Sequence, residues 1–174
     1  MELLGERGFE EVTVAEIAER AGLTERTFFR YFADKREVLF GGSDQTKAVL
    51  VDAVLAAPES ASPLDAVAAG LTAFSTLLEE QRGRDFARRR QRIIASNDEL
   101  LERELIKLAG WAVALAEALR SRGVEEANAR LAAEVGMAVF RTAFDRWVGT
   151  TRGTSLSRLV RETLDSMKTL TTNG

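Results

Sequence analysis

Apolar residues recur three and four positions apart along almost the whole chain, from ELLGER near its start to LSRLVRETLDSMKTL near its end. That spacing lines up one face of a helix and does not fit the alternation of a half-buried strand. Alanine, leucine, glutamate and arginine abound and β-branched runs are short. Only two of the 174 residues are proline, so little interrupts a helix once begun. The pattern predicts an all-α fold. Residues 2–8 read as the tail of a helix that stops at Gly8. Thr13 can cap a second helix, with Glu16 completing a capping box, and Gly22 ends it. Thr24 can cap a third helix over 25–31, and Asp34 a fourth beginning at Lys35. Gly41-Gly42 interrupts that fourth helix, by a kink or by a restart at Ser43, before PESASP (58–63) forms a loop. Further helices are predicted over 63–80, 84–95, 98–122, 125–149 and 155–170. No repeat is evident, and the natural division is a small unit, 1–42, and a larger helical body, 43–174.

Composition narrows the function. Hydrophobic residues make up 45% and charged residues 29%, which suits a folded domain. No apolar run approaches the roughly 20 residues that cross a bilayer, and no secretory signal opens the chain, so no membrane association is expected. With no cysteine, disulfides and thiolates are excluded and a cytoplasmic location is the default. With no histidine either, zinc sites and the Ser-His and Cys-His nucleophile pairs are excluded as well. GxGxxG, GxxxxGK[ST] and GxSxG are all absent. No catalytic residue, metal or cofactor is therefore assigned, and binding is favoured over catalysis. A net charge of -3 argues against a generally basic surface, so any contact with nucleic acid must be a local patch. Lys35, Lys47, Lys107 and Lys168 are the only lysines, and arginine suits forked contacts to phosphate and carboxylate.

That patch is sought in AEIAERAGLTERTFFRYFADK, residues 15–35. Two short helices joined by a tight turn with glycine make a helix-turn-helix pattern. Val14, Ile17, Ala18 and Ala21 line one side of the first helix, and Ala18 and Gly22 are small where the helices must approach. Leu23 fills the turn. Phe28 and Phe32, four apart, point inward together. Glu25, Arg26, Thr27, Phe29, Arg30 and Tyr31 are left for the flanks and outer face. The spacing alone leaves two readings open: a DNA-binding surface, or a helical subdomain with a solvated charged face.

The run GFEEVTVAEIAERAGLTERTFFRYFADKREVLF closely resembles the DNA-binding domain of TetR-family transcriptional regulators. It matches at Gly8-Phe9, Thr13-Val14, Ile17-Ala18, Ala21-Gly22, the aromatic second helix, Phe32, Lys35 and Leu39-Phe40. The resemblance implies an N-terminal three-helix helix-turn-helix domain followed by a larger effector-binding and dimerisation domain. Carried over by residue, Arg26, Thr27 and Arg30 face the major groove and Glu25 modulates access. Phe29 and Tyr31 touch backbone or thymine methyls. Thr13 and Thr24 cap helices and offer hydroxyls to phosphates, and Lys35 grips a phosphate. An arginine can read guanine with two hydrogen bonds, worth about 1–3 kcal/mol of discrimination. Two departures stand out. The likeness implies further residues ahead of ELLGERG, often basic, so the first helix reads as truncated. Residues 1–40 also hold six Lys/Arg against nine Asp/Glu, which implies weak, salt-sensitive affinity.

In the body, Met137, Phe140, Phe144 and Trp147 form one stripe and Leu131, Val135, Ala138 and Thr142 a second beside it. So wide an arc suits a helix lying between a core and a subunit interface. Leu156, Leu159, Val160, Thr163, Leu164, Met167 and Leu170 follow at helical spacing on the last helix. The resemblance implies a homodimer formed by these two helices. It also implies an inducer pocket enclosed by the helices over 43–122, with Phe74, Leu78, Phe86, Trp111, Leu115, Phe140, Phe144 and Trp147 as wall candidates. Plain core is the alternative reading of the same residues. In RGRDFARRRQRII (82–94), Phe86, Arg89, Arg90, Ile93 and Ile94 share a face, and Arg84, Arg88 and Arg92 point more outward. A partly buried arginine demands an anion. Either Glu99, Glu102 or Asp145 pairs with Arg89 or Arg90, or an acidic ligand does. This segment, with SNDELLERELIKL and AVFRTAFDRW, also resembles the C-terminal domain of the mycofactocin-regulator-like branch, which implies an acidic or acyl-type effector.

The function expected is thus a ligand-responsive repressor that binds double-stranded DNA at a palindromic operator as a dimer. The rival is a helical dimeric adaptor whose helix-turn-helix no longer binds DNA, a reading the acidic N-terminal unit keeps open.

Overall fold

The computed structural model describes residues 1–150 and 153–172, and every regular element among them is a helix. They are α1 (Glu2–Arg7), α2 (Val14–Arg20), α3 (Glu25–Tyr31), α4 (Glu37–Phe40), α5 (Ser43–Leu55), α6 (Pro63–Gln81), α7 (Gly83–Ala95), α8 (Asp98–Ser121), α9 (Glu126–Gly149) and α10 (Leu156–Thr172). Among the described residues no helix is long and apolar enough to cross a membrane.

Side-chain caps place the helix starts. Thr13 and Glu16 form the capping box expected of α2, and Thr24 Oγ1 accepts from Thr27 N at the start of α3. Ser62 accepts from Asp65 N ahead of Pro63, and Asn97 from Leu100 N. Each such bond satisfies an amide that the first helical turn leaves without a partner, typically worth about 1 kcal/mol. Most boundaries fall within two residues of the sequence reading, and the fourth helix departs from it most. The helix expected from Lys35 begins at Glu37, because Asp34 Oδ1 accepts from Glu37 N, 3.1 Å away. It lasts a single turn. Gly41 turns extended and Gly42 left-handed (φ 84°), so the chain restarts as α5 at Ser43 instead of kinking.

Most of the buried apolar residues fall into two clusters. The larger joins α5, α6, α8, α9 and α10 around Leu50, Leu71, Leu115, Leu119, Trp147 and Leu156. Gly70 permits a close crossing: a Cβ there would lie 2.7 Å from the carbonyl oxygen of Leu50 on α5. The smaller cluster gathers Leu4, Phe9, Val12, Leu39 and Phe40 from the N-terminal unit. It is closed from the other side by Ile93 and Ile94 of α7 and Leu100 of α8. The N-terminal core is therefore completed by the body. Whatever moves α7 against α8 acts directly on the packing of α1 and α4.

Candidate nucleic-acid interface and ligand cavity

The turn between α2 and α3 is a Schellman closure. Leu23 N donates to Ala18 O at 2.8 Å and Gly22 N to Glu19 O at 2.9 Å, which needs the left-handed φ of 69° that Gly22 adopts. Ala18 is buried at this crossing. On α3, Phe28 is 2% exposed and stacks on Phe32 with ring centres 5.0 Å apart. Burying Phe28 orients the rest of the helix: Glu25, Arg26 and Arg30 are exposed, Phe29 is 52% exposed and Tyr31 66%. Arg30 Nη2 donates to Tyr31 Oη at 3.0 Å, and its guanidinium lies 4.8 Å from the Tyr31 ring centre. Among the described residues neither Arg26 nor Arg30 pairs with a carboxylate, although Glu25 adjoins them in sequence. Two exposed guanidiniums with donors to spare, beside aromatic edges on a capped helix, can bind phosphate and read base edges.

The remaining cations of this unit are committed internally. Lys35 Nζ donates to Phe9 O and Val12 O at 2.6 and 2.9 Å and sits 4.2 Å from the Phe9 ring centre. It ties the α1–α2 loop to α3. Arg20 pairs with Glu2, Arg36 with Asp34, and Arg7 with Glu16. Glu16 titrates at about 2, chiefly because the Thr13 amide, and then Arg7, bond to its ionised form. The Thr13 hydroxyl is held in the same capping box.

Between the two cores lies a cavity of about 360 Å³, within the range typical of small-molecule sites. Its floor is aromatic, with Phe74 edge-on to both Trp111 and Phe140, and Phe86 and Phe144 further along. At the end nearest α4, Arg90 reaches across from α7. Its Nε donates to Leu39 O at 2.8 Å and its Nη2 to Glu104 Oε2 at 2.6 Å. Lys107 Nζ holds both oxygens of the same carboxylate at 2.8 and 2.9 Å. Burial would raise Glu104, but Arg90 and Lys107 outweigh it and hold the carboxyl below its ordinary range. Lys107 is lowered to about 8, first by burial and then by Arg90. Phe40, the last residue of α4, faces three cations: Arg90, Arg103 and Lys107 lie 5.1, 5.0 and 5.8 Å from its ring centre.

The sequence pattern of the bacterial regulatory proteins of the tetR family matches residues 1–40, and that of the MftR C-terminal domain matches residues 61–171. The chain is 31% identical over 151 residues to a protein of Mycobacterium tuberculosis described as the mycofactocin biosynthesis transcriptional regulator MftR, covering 85% of this chain and 75% of that one. The chain belongs to the TetR family. Solved TetR-type structures share its fold at low identity. The fatty acid degradation regulator FadR of Bacillus halodurans superposes with a TM-score of 0.63 at 21% identity, covering 93% of this chain and 90% of that one. The TetR-family regulator PfmR of Thermus thermophilus gives 0.55 at 22%, covering 94% and 91%. A TetR-like protein is a DNA-binding transcriptional regulator and not an enzyme, and the adaptor reading is not favoured.

Within this TetR-family frame the residues singled out in the sequence divide. Phe74, Leu78, Phe86, Arg90, Trp111, Phe140 and Phe144 line the cavity. Leu115 and Trp147 do not: both are buried in the body core, Trp147 beneath the Arg84 guanidinium. Arg89 is exposed and lies by Met1, Glu2 and Arg20, on the far side of α7 from the cavity. Arg84 and Arg88, read as outward, turn inward instead. Arg88 donates to Val148 O and Thr150 O, and Arg84 to Thr150 O and Thr154 O, because the end of α9 presents carbonyls that need donors. The acid partner of Arg90 is Glu104, not Glu99, Glu102 or Asp145; Asp145 accepts from Gln91. Lys35, expected at a phosphate, is spent on the carbonyls of Phe9 and Val12. On the last two helices, Leu156, Leu159, Val160 and Leu164 are already buried in their own subunit against α6 and α9, Met167 and Val135 are half-buried, and Leu131 is 64% exposed. Glu104 and Lys107 were not singled out in the sequence. Their three-residue spacing was visible there, but nothing in it signalled that Arg90 would meet them.

Proposed function

We propose that this protein is a one-component repressor that binds a palindromic operator as a homodimer and leaves it when a small molecule fills the cavity. The observation that supports this best is the outer face of α3, where Arg26 and Arg30 stand exposed with no carboxylate partner beside Phe29 and Tyr31. Residues 1–42 serve as the reading unit, with Thr27 and Arg30 toward the groove and Glu25 at its edge. Residues 43–174 serve sensing and assembly. Pairing of α9 and α10 with a second copy, through Leu131 and its neighbours, sets two recognition helices roughly 34–36 Å apart, one turn of DNA. Such a regulator works in the cytoplasm, where the genome is.

The effector is acidic or acyl-type. The cavity is aromatic with cations at one end, the named relative regulates mycofactocin biosynthesis, and one structural neighbour is a fatty acid degradation regulator. To act, it must favour a conformation that holds DNA less well. Genomic fragments retained by the protein should share an inverted repeat and dissociate steeply as salt rises. Retention by Arg30→Ala as strong as by the wild type would refute the interface.

A further inference from the structure

The joint where α4, α7 and α8 meet carries one positive charge more than its own side chains neutralise. Arg90 and Lys107 share a single carboxylate, Glu104, and all three are largely screened from water. Two other charged side chains near the joint are engaged elsewhere, and Arg82, over the Phe86 ring, and Arg141 also line the cavity. Arg103, across the Phe40 ring, pairs with Glu37 and lies 3.8 Å from Asp34; Asp145, on the α9 side, accepts from Gln91. The rings of Phe40 and Trp111 flank the Lys107 ammonium, the latter with its centre 5.0 Å away. Beyond Trp111 the cavity is walled by Phe74, Leu78, Leu108 and Phe140. An unneutralised cation at the edge of an apolar chamber favours a ligand with one anionic end and an apolar body. Burial, and after it the Arg90 charge, lower Lys107 to about 8.

Arg90 does a second thing. The guanidinium that shares Glu104 also holds Leu39 O, in the single turn of α4 whose Leu39 and Phe40 belong to the N-terminal core. An anion drawing Lys107 and Arg90 toward itself must compete with Glu104, and a shifted guanidinium cannot keep both of its present acceptors. A neutral ligand of the same shape has no such lever.

We infer that Lys107 takes the carboxylate of an amphipathic monoanion in the cavity, and that Arg90 passes its arrival to the reading unit through the carbonyl of Leu39. This rests on the ligand-responsive reading above. The probes are decanoate and decan-1-ol, which differ at the head group alone. Binding is read from the fluorescence of Trp111 in the cavity wall, and release from the anisotropy of a retained DNA fragment. Wild type should bind decanoate roughly tenfold or more tighter than decan-1-ol, as a charged hydrogen bond in a dry site implies. Lys107→Met should lose that preference and Lys107→Arg should keep it. Arg90→Lys retains the charge but not the fork; once saturated with decanoate, as its own titration shows, it should release DNA only weakly. If wild type does not distinguish the two probes, or Lys107→Met still does, the assignment of Lys107 is wrong. If Arg90→Lys releases DNA as fully as the wild type, the assignment of Arg90 is wrong. If no genomic fragment is retained at all, the regulatory reading fails, and the fluorescence titration still decides Lys107 alone.

Discussion

The outer face of α3 and the joint of α4, α7 and α8 are built from the same materials, arginine beside aromatic rings, and use them in opposite ways. On α3 the rings of Phe29 and Tyr31 are exposed and the guanidiniums have no carboxylate among the described residues. At the joint, Phe40 is buried, Arg103 holds Glu37, and Arg90 and Lys107 share the one carboxylate of Glu104. Water solvates an unpaired surface cation at little cost, so α3 can keep its donors free for a phosphate or a base. A cation removed from water must be satisfied on the spot, so the joint specifies one arrangement of three helices. Free donors suit an encounter with an outside partner, and a buried network one carboxylate short suits a switch.

Four measurements would break or sharpen that contrast. Glu104→Ala should have the largest effect, because it strands two buried cations. A loss of about 3–5 kcal/mol in urea unfolding is expected, and a loss below 1 kcal/mol would mean the joint is far wetter than it looks. Next comes pH. The unfolded chain keeps the Lys107 proton up to its ordinary 10.5, and the folded chain releases it near 8. Between these values the unfolded state binds more protons, so stability should rise with pH across that window, by about 3 kcal/mol. Lys107→Met should lack this rise when the two unfolding curves are compared. On α3, Arg30→Ala should weaken binding to a retained fragment by about 1–3 kcal/mol while moving the unfolding midpoint hardly at all. An equal loss in stability would show that Arg30 is structural. Thr24→Ala should cost about 1 kcal/mol by removing the α3 cap, with DNA affinity falling only as far as the helix frays.

Much of the reading unit could be seen in the chain. Thr13 with Glu16, Gly22 and Thr24 act within a few residues of themselves, so their roles in capping and turning follow from local spacing. Phe28 inward and Phe29 outward follow from helical period. The body yielded less. An apolar stripe shows that a helix face is buried but not what buries it. Leu156, Leu159, Val160 and Leu164 could equally have met a partner subunit, and they are covered by α6 and α9 instead. Arg84, Arg88, Arg89 and Arg90 lie within seven positions of one another, and only the docking of α7 sorts them: two to the end of α9, one to solvent, one to the cavity.

Helix type, most helix ends and the division of α3 into a buried and an exposed side were thus written in the order of residues, because each depends on neighbours no more than a turn or two away. The pairing of Arg90 with Glu104, the anchoring of Leu39 and the cavity between the two cores were not. They arise where helices distant in sequence cross, and the geometry of a crossing depends on every side chain packed into it.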